Sequence, residues 1–291
     1  MKPSPFSYVA ARTKEEALDL LQAGAGEAKI LAGGQSLMPL MNFRLVRPSV
    51  LVDINRISEL AGIALTGSGV RIGALTRHAQ IEMSEVLAGH FPVLTAGISH
   101  VAHLAIRNRG TIGGSLAYAD PAAELPMLMR LLDARLTVIS ATAHRTISTD
   151  TFFVSALTTD LAAEEILTEI EIPFLHPRTG WGFRELARRH GDFALAAVAV
   201  TLHRVDRLAG DVRIAVTGVG ETPIRPKAAE KLLEGQTLDP EVLGAVVNTL
   251  RDTVAPNSDL HASADYRRHL VGVLAARAIA DAWQRAEGSF A

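Results

Sequence analysis

Two paired glycines, about eighty residues apart, are the positions where this chain is best suited to bind a ligand. Gly33-Gly34 stands in ILAGGQSL and Gly113-Gly114 in TIGGSLAY. Paired glycines let the backbone approach a ligand closely, and successive free N–H groups in such a turn form a concave anion site. Small polar side chains accompany both pairs: Gln35, Ser36, Thr111 and Ser115. The residues alone leave two interpretations open, a phosphate held between two loops or two ordinary tight turns.

The common phosphate and catalytic motifs are absent from the sequence. Neither glycine pair is followed by Gly-Lys-Ser/Thr, and neither forms Gly-x-Gly-x-x-Gly, which argues against a Walker loop and a Rossmann fingerprint. There is no Gly-x-Ser-x-Gly elbow for serine hydrolysis and no His-Glu-x-x-His metal spacing. The sequence therefore predicts no catalytic residue and no metal ligand.

Four further side chains could contact a ligand, and each has a simpler interpretation. Glu124, in the first turn of a predicted helix, either interacts with the helix dipole or accepts hydrogen bonds from ribose or ribityl hydroxyls. Asp120 fits a helix cap better than a ligand. Arg184 could meet a phosphate, although solvation is the simpler expectation. Phe193 follows a Gly-Asp turn, so it either packs in the core or stacks on a flat ring.

Composition narrows the chemistry further. The 291 residues include no cysteine, which excludes disulfides, thiolate zinc sites, a cysteine nucleophile, cysteine-ligated iron–sulfur clusters and a cysteinyl–flavin bond. With 29 basic and 31 acidic residues the chain lacks the positive charge that nucleic acid or an anionic membrane selects. Apolar runs of about ten residues are too short to span a bilayer. No signal peptide is evident, so we expect a cytoplasmic protein without a membrane span.

The N-terminal third reads as alternating strands and helices. Thr13 and Glu16 form a capping-box pattern, so a first helix should begin near Lys14 and end at Gly24 or Gly26. AKILA and SVLVDI read as strands, separated by a short helical segment that Pro39 interrupts. A βαβ-like unit should therefore close by about residue 57. A hairpin is expected next, around residues 67–69.

Later segments predict a second, differently built part. Thr76 should cap RHAQIEMSEVL, and Asp120 followed by Pro121 should open the helix AAELPMLMRLL. Beyond a linker at residues 173–180, GWGFRELARR, FALAAVAVTLHRV and DVRIAVTGVG predict an antiparallel meander followed by helices. One face of the last helix should pack on that meander: Tyr266, Leu270, Val273, Ala276, Ala280 and Trp283.

These elements predict an α+β fold. The expected organisation is an N-terminal domain over residues 1–176, with subdomains of about 1–57 and 58–176. A small C-terminal domain of antiparallel sheet plus helices should occupy residues 177–291.

Longer stretches give a specific family resemblance. ILAGGQSLMPLMNFRLVRPSVLVDINRI and IRNRGTIGGSLAYADPAAELPMLM, in this order, closely resemble the FAD-binding medium subunit of molybdenum hydroxylases. The flavoprotein subunit of aerobic carbon monoxide dehydrogenase is the nearest match, and the flavin segment of xanthine dehydrogenase is more distant. The resemblance extends over nearly the whole chain, from KPSPFSYVAARTKEEALDLL to SADYRRHLVGVLAAR. It implies an FAD-binding domain of the vanillyl-alcohol-oxidase (PCMH) type, followed by the small C-terminal domain.

The resemblance also assigns roles to residues. It implies two halves of a pyrophosphate cradle, an acidic residue near ribityl or ribose hydroxyls, apolar residues lining the flavin pocket, and a basic residue near the cofactor. The implied FAD-binding residues are Leu31, Ala32, Gly33, Gly34, Gln35, Ser36, Leu37, Thr111, Ile112, Gly113, Gly114, Ser115, Asp120, Glu124, Ile166, Leu167, Arg184 and Phe193. Two positions depart from the family pattern. Phe193 stands where the carbon monoxide enzymes have Tyr, and Gln35 where His is frequent.

The function that the resemblance implies is electron relay. A large molybdenum-cofactor subunit would supply electrons to the [2Fe–2S] clusters of a small partner subunit. FAD, bound non-covalently to this chain, would take the electrons from those clusters and pass them to an external acceptor. The expected assembly is a dimer of heterotrimers. The missing cysteines agree with clusters on another chain. Two alternatives stay open, a self-contained flavin oxidase or reductase of this fold and an assembly scaffold that has lost FAD.

Overall fold

The computed structural model describes residues 2–287 and begins with a small parallel sheet. β3 lies between β1 and β2 and pairs with both in parallel register. Helix α1 covers the sheet, since Ala17, Leu18 and Leu21 are buried. Thr13 accepts a hydrogen bond from the Glu16 backbone at 3.1 Å and caps α1, as the sequence predicts. The elements are β1 (Ser7–Ala10), α1 (Lys14–Ala23), β2 (Ala28–Leu31), α2 (Leu37–Asn42) and β3 (Val50–Asp53).

A five-stranded antiparallel sheet forms the second part. Its strand order is β4-β5-β10-β6-β7, and the predicted hairpin joins β4 to β5. Short helices cover it, with Phe91 and Phe152 fully buried among them. The elements are β4 (Ile63–Leu65), β5 (Gly69–Gly73), α3 (His78–Glu82), α4 (Glu85–His90), α5 (Pro92–Ile98), α6 (Leu104–Arg107), α7 (Ile112–Tyr118), α8 (Glu124–Leu131), β6 (Arg135–Ile139), β7 (His144–Ser148), α9 (Thr149–Phe152), β8 (Phe153–Ser155), β9 (Thr158–Thr159) and β10 (Ile166–Pro173).

Two predicted helix starts in this part are wrong. Thr76 does not cap a helix, because its hydroxyl exchanges hydrogen bonds with the Gly62 backbone at 2.9 and 3.0 Å. The predicted single helix is instead split into α3 and α4, and the second half is capped by Ser84. Asp120 accepts from the Ala122 backbone at 2.9 Å within a turn, and α8 starts only at Glu124. The Ala123 backbone donates to the Asp120 carbonyl at 3.1 Å and has an extended conformation with ψ of 144°, so the helix begins only after it.

The third part is the predicted meander with helices on one side. β12 pairs with β11 and β13, both antiparallel. Leu233, Val246 and Leu250 of the covering helices are fully buried in the core of this part. The elements are β11 (Gly180–Ala187), β12 (Ala194–Val205), β13 (Leu208–Thr217), α10 (Lys227–Leu233), α11 (Pro240–Thr253) and α12 (Ala264–Glu287).

The buried face of α12 differs from the predicted one. Leu270 is buried as expected, but Tyr266 is exposed. The buried residues are displaced by about one position from the predicted ones and combine small with larger apolar side chains: Val271, Leu274, Ala275, Ala278, Ile279 and Ala282. Glycines of β11 explain the shift, because a Cβ atom at Gly182 would lie 2.0 Å from the Ala278 carbonyl oxygen. The backbone of the helix near Ala278 therefore lies almost directly on the strand.

The mixed helix and sheet content agrees with the predicted α+β class. The proposed boundary at 176/177 falls between β10 and β11, and the proposed subdomain boundary at 57/58 falls between β3 and β4. Residue 1 of the proposed N-terminal domain and residues 288–291 of the proposed C-terminal domain lie outside the described residues. Within residues 2–287, no helix has the length and apolar character needed to cross a membrane.

Candidate functional site

The first glycine motif forms the loop between β2 and α2. Gly34 has φ of +72°, a left-handed conformation that glycine adopts without steric cost. The side-chain amide of Gln35 donates to the Gly33 carbonyl at 3.0 Å and closes the turn. The loop borders an open cleft of about 450 Å³, lined by Leu31, Ala32, Gly33, Gly34, Gln35, Met38, Pro39, Asn42, Asp53, Asn55 and Arg109.

Backbone donors of this loop are unused. Within residues 2–287, the N–H groups of Gly33, Gly34, Gln35 and Ser36 donate to no backbone or side-chain acceptor. Unpaired backbone donors are normally satisfied by water or by a ligand. A run of four such groups beside an open cleft is therefore suited to bind an anionic group such as a pyrophosphate.

The structure brings the two glycine motifs together. A Cβ atom on Gly33 would lie 2.4 Å from the Arg109 carbonyl oxygen and 2.9 Å from the Gly110 Cα atom. Residues 109–110 directly precede the second motif. The first loop thus packs against the chain that leads into the second, and only glycine permits this approach.

The second motif differs, because its amides are already hydrogen-bonded. Ile112 donates to Thr76 at 3.1 Å and Gly113 donates to Ala74 at 2.9 Å. The Gly114 N–H is taken up by the Thr111 hydroxyl at 3.1 Å, and Ser115 donates to the Thr111 carbonyl. The motif therefore anchors α7 to the segment that follows β5. Gly114 is itself exposed, so its bare backbone surface remains open to a ligand.

A polar network that the sequence analysis missed joins the loops. The Asn55 amide donates to the Ala32 carbonyl at 2.9 Å, and Arg77 donates to the Asn55 side-chain oxygen at 2.6 Å. Arg77 also donates to the Arg109 carbonyl. Asp53 accepts from the Asn55 backbone at 2.8 Å. Asp53 and Asn55 stand at the carboxyl end of a parallel strand, where ligand-binding residues often gather, and this position was the available signal.

Glu124 is an acid buried in the protein interior. It is 5% exposed, and a hydrogen bond from its own backbone lowers its pKa in opposition to burial. Burial raises the pKa of Glu124 to about 8, and the nearby charges of Glu185 and Asp120 add to the increase. Glu185, on β11, was also missed. Strand alternation places it on the face opposite Arg184, which the sequence analysis chose.

The remaining predicted residues lie in other surroundings, although Ile166 shares a hydrophobic cluster with Ala32 and Leu167 shares one with Ile112. Arg184 forms a two-bond pair with Asp281 of α12, at 2.7 and 3.0 Å. Ile166 and Leu167 are buried core side chains of β10, 2% and 6% exposed. Phe193 lies in the turn before β12 and is 64% exposed, so its ring is free to contact another group. The cofactor roles of these four residues stay predictions.

Two family models account for most of the chain. Residues 4–175 match the FAD binding domain in molybdopterin dehydrogenase, and residues 181–282 match the CO dehydrogenase flavoprotein C-terminal domain. A curated relative, the 6-hydroxypseudooxynicotine dehydrogenase complex subunit alpha of Paenarthrobacter nicotinovorans, is 43% identical over 98% of this chain and 97% of its own.

Solved structures agree with this assignment. A chain of carbon monoxide dehydrogenase from Hydrogenophaga pseudoflava superposes with a TM-score of 0.96, 36% identity and coverage of 98% of this chain and 99% of that one. Quinoline 2-oxidoreductase from Pseudomonas putida 86 gives 0.94 at 38% identity and the same coverage. The glycine loop with its unused amides and the buried acid of α8 fit an FAD-binding role. This chain belongs to the FAD-binding subunit family of molybdenum hydroxylase-type dehydrogenases.

Proposed function

We propose that this chain holds FAD non-covalently and relays electrons from the [2Fe–2S] clusters of a partner subunit to an external acceptor. The observation that carries the proposal is the run of four unpaired backbone donors, Gly33 to Ser36, beside the cleft in a chain of this family. FAD supplies the redox chemistry in such subunits, and the protein supplies binding and orientation. No acid–base or nucleophilic residue of this chain is needed for that role.

Different residues of this chain would bind different parts of FAD. Backbone amides of the first loop would take the pyrophosphate, and the exposed surface of Gly114 would allow close approach from the other side. Glu124 would accept hydrogen bonds from ribityl or ribose hydroxyls. Asn55 and Arg77 would keep the two loops at a fixed separation through their bonds to Ala32 and Arg109.

We further infer the partners from the family. A large molybdenum-cofactor subunit would oxidise the substrate, and a small subunit would carry the clusters that this cysteine-free chain cannot hold. The expected assembly is a dimer of heterotrimers in the cytoplasm. Co-purification of the tagged chain with two such subunits, and iron and molybdenum analysis of the complex, would test the assembly. Turnover of an alcohol or aldehyde by the isolated chain would instead favour a self-contained oxidase.

Cofactor content is the first prediction. The purified protein should contain about one FAD per chain, and acid precipitation should leave the yellow flavin in the supernatant because no cysteine is present to tether it. Absorbance at the flavin maxima and chromatography of the supernatant measure this. Protein that stays colourless after reconstitution with FAD would contradict the proposal, and flavin in the pellet would contradict the non-covalent mode.

The loop-joining network gives the second prediction. Asn55→Ala removes the bond to the Ala32 carbonyl and leaves the Arg77 guanidinium without one acceptor. We expect FAD affinity to fall about tenfold, since each such hydrogen bond contributes roughly 1 kcal/mol. Titration of apoprotein with FAD, followed by flavin fluorescence, measures the dissociation constant. Asn108→Ala is the matched control, because Asn108 is exposed and outside the network; equal affinities for both variants would refute the prediction.

A further inference from the structure

Arg109 is the one positively charged residue among those that line the cleft in the described part of the chain. The residue is exposed, and within residues 2–287 its guanidinium group forms no hydrogen bond and no ion pair. A guanidinium group carries five N–H donors and a permanent positive charge. Arg109 therefore has both donors and charge to offer to an anionic ligand in the cleft.

The backbone of Arg109 is fixed against the first glycine loop. Its N–H group donates to the Ile106 carbonyl at 3.1 Å, and its carbonyl oxygen accepts from the Arg77 guanidinium group. The same carbonyl oxygen would lie 2.4 Å from a Cβ atom on Gly33. A long, uncommitted side chain thus begins at a fixed position directly beside the loop with the unpaired amides.

Other cations that could serve the cofactor are already engaged. Arg77 donates to the Asn55 side-chain oxygen at 2.6 Å and to the Arg109 carbonyl, so it joins the loops. Arg184, which the family resemblance places near the cofactor, forms an ion pair with Asp281 at 2.7 Å. Burial and then the charge of Arg109 lower the pKa of Arg77. Because the two guanidinium groups repel each other, an anion bound in the cleft would relieve that repulsion.

An acid in the same cleft makes a counter-charge necessary. Asp53 lines the cleft and accepts hydrogen bonds from the Tyr8 hydroxyl at 2.5 Å and the Asn55 backbone at 2.8 Å. Burial raises the pKa of Asp53, but the hydrogen bonds from Tyr8 and Asn55 outweigh burial and lower the pKa below its usual value. Asp53 is therefore charged at neutral pH. Without Arg109, an anion entering the cleft would meet neutral amides and one like charge.

We propose that Arg109 is a cofactor-binding residue whose guanidinium group pairs with the pyrophosphate of FAD, alongside the amides of Gly33 to Ser36. Arginine and phosphate groups often form two parallel N–H···O bonds, which adds orientation to the attraction between charges. The inference rests on the proposed FAD function and deepens it, because it names the residue that neutralises the ligand. It also gives Arg109 the basic role that the resemblance assigned to Arg184.

Loss of this charge should weaken FAD binding and make the binding less sensitive to salt. Arg109→Gln keeps a polar side chain without the charge, so FAD affinity at low ionic strength should fall about tenfold, as for the loss of a charge-assisted hydrogen bond. Salt screens exposed charges. Wild-type affinity should therefore fall as sodium chloride is added, whereas the affinity of Arg109→Gln should change much less. Arg109→Lys keeps the charge but not the planar fork, so its affinity should lie between the two and retain the salt dependence of the wild type.

Titration of apoprotein of the full chain with FAD, followed by flavin fluorescence at low and at high sodium chloride concentration, tests the inference. Arg277→Gln is the matched control, because Arg277 is exposed in α12 and does not line the cleft. It should match the wild type in affinity and in salt dependence. Circular dichroism should give each variant the wild-type Tm, since both arginines are exposed. Rescue by lysine and the response to salt are readouts that a merely structural role of Arg109 would not change.

The outcomes separate this inference from the FAD function itself. FAD binding by Arg109→Gln within twofold of the wild type at low salt would overturn the inference and leave the FAD function intact. So would a lysine variant as weak and as insensitive to salt as the glutamine variant, because charge would then not be what this position supplies. If the glutamine variant does not fold, the wild type decides, since an affinity that does not fall with salt overturns the inference. Failure of the wild type to bind FAD at either salt concentration would overturn both proposals.

Discussion

Gly33→Ala should greatly weaken the binding of FAD. The added Cβ atom would lie 2.4 Å from the Arg109 carbonyl oxygen, so the first loop must move away from residues 109–110. The obstacle is backbone, which cannot rotate aside as a side chain would. We expect FAD affinity to fall on the order of 100-fold, and stability of the apoprotein to fall by roughly 1–3 kcal/mol, as overpacking usually causes. The ratio of flavin to protein absorbance and FAD titration of apoprotein measure the loss.

A matched glycine in the same part of the chain provides the control. Gly89 lies exposed in α4, and a Cβ atom there would meet nothing within 4 Å. Gly89→Ala should retain stoichiometric FAD and gain stability, because alanine favours a helix by about 1 kcal/mol over glycine. FAD binding by Gly33→Ala within threefold of wild type would show that the first loop tolerates a side chain at this position and would refute the prediction.

Gly182→Ala should produce the largest loss of stability. Its Cβ atom would lie 2.0 Å from the Ala278 carbonyl oxygen, where α12 rests on β11. Either the helix or the strand must shift, and the small residues packed between them lose contact. We expect a loss of roughly 3 kcal/mol or more. For a chain of this size that corresponds to a fall in Tm of about 6–12 °C, measurable by circular dichroism.

Gly244→Ala separates this effect from substitution of glycine in general. Gly244 lies in α11 with no atom within 4 Å of its would-be Cβ, so alanine should leave Tm unchanged or raise it slightly. Equal Tm values for Gly182→Ala and wild type would show that α12 can move without cost, and would refute the tight strand–helix contact.

Local signals in the sequence predicted much of this fold. The Thr13 cap, the hairpin at β4 and β5 and the C-terminal meander were read correctly because each depends on neighbouring residues. The face of α12 was not. Apolar residues surround much of this helix, so their spacing does not select one face, and the contact of Ala278 with Gly182 of β11 decides which side is buried.

The candidate site was predictable only in part. Paired glycines mark both loops, but the sequence does not reveal that the amides of Gly33 and Gly34 are free whereas those of Gly113 and Gly114 are hydrogen-bonded. That difference arises from contacts with Ala74 and Thr76, about forty residues before the second motif. Glu185 was missed for a similar reason. Its charge raises the pKa of Glu124, which is distant in sequence, so nothing near Glu185 in the sequence indicated this effect. The neighbouring Arg184 was chosen instead because a basic side chain can bind a phosphate.

The two glycine loops lie on different structural units, and this arrangement affects how a bound ligand would hold those units together. The ligand donors belong to the N-terminal unit, whose hydrophobic core around Leu21 and Val52 also contains Ile139 and Ile166 of the five-stranded sheet. The chain on which they rest, residues 109–110, belongs to the unit built around Phe91 and Leu128. A molecule bound across both loops would add a removable contact between two units that already share part of a core. Its free energy of binding would add to the work of separating them, so the N-terminal unit should be held more firmly when the cleft is occupied.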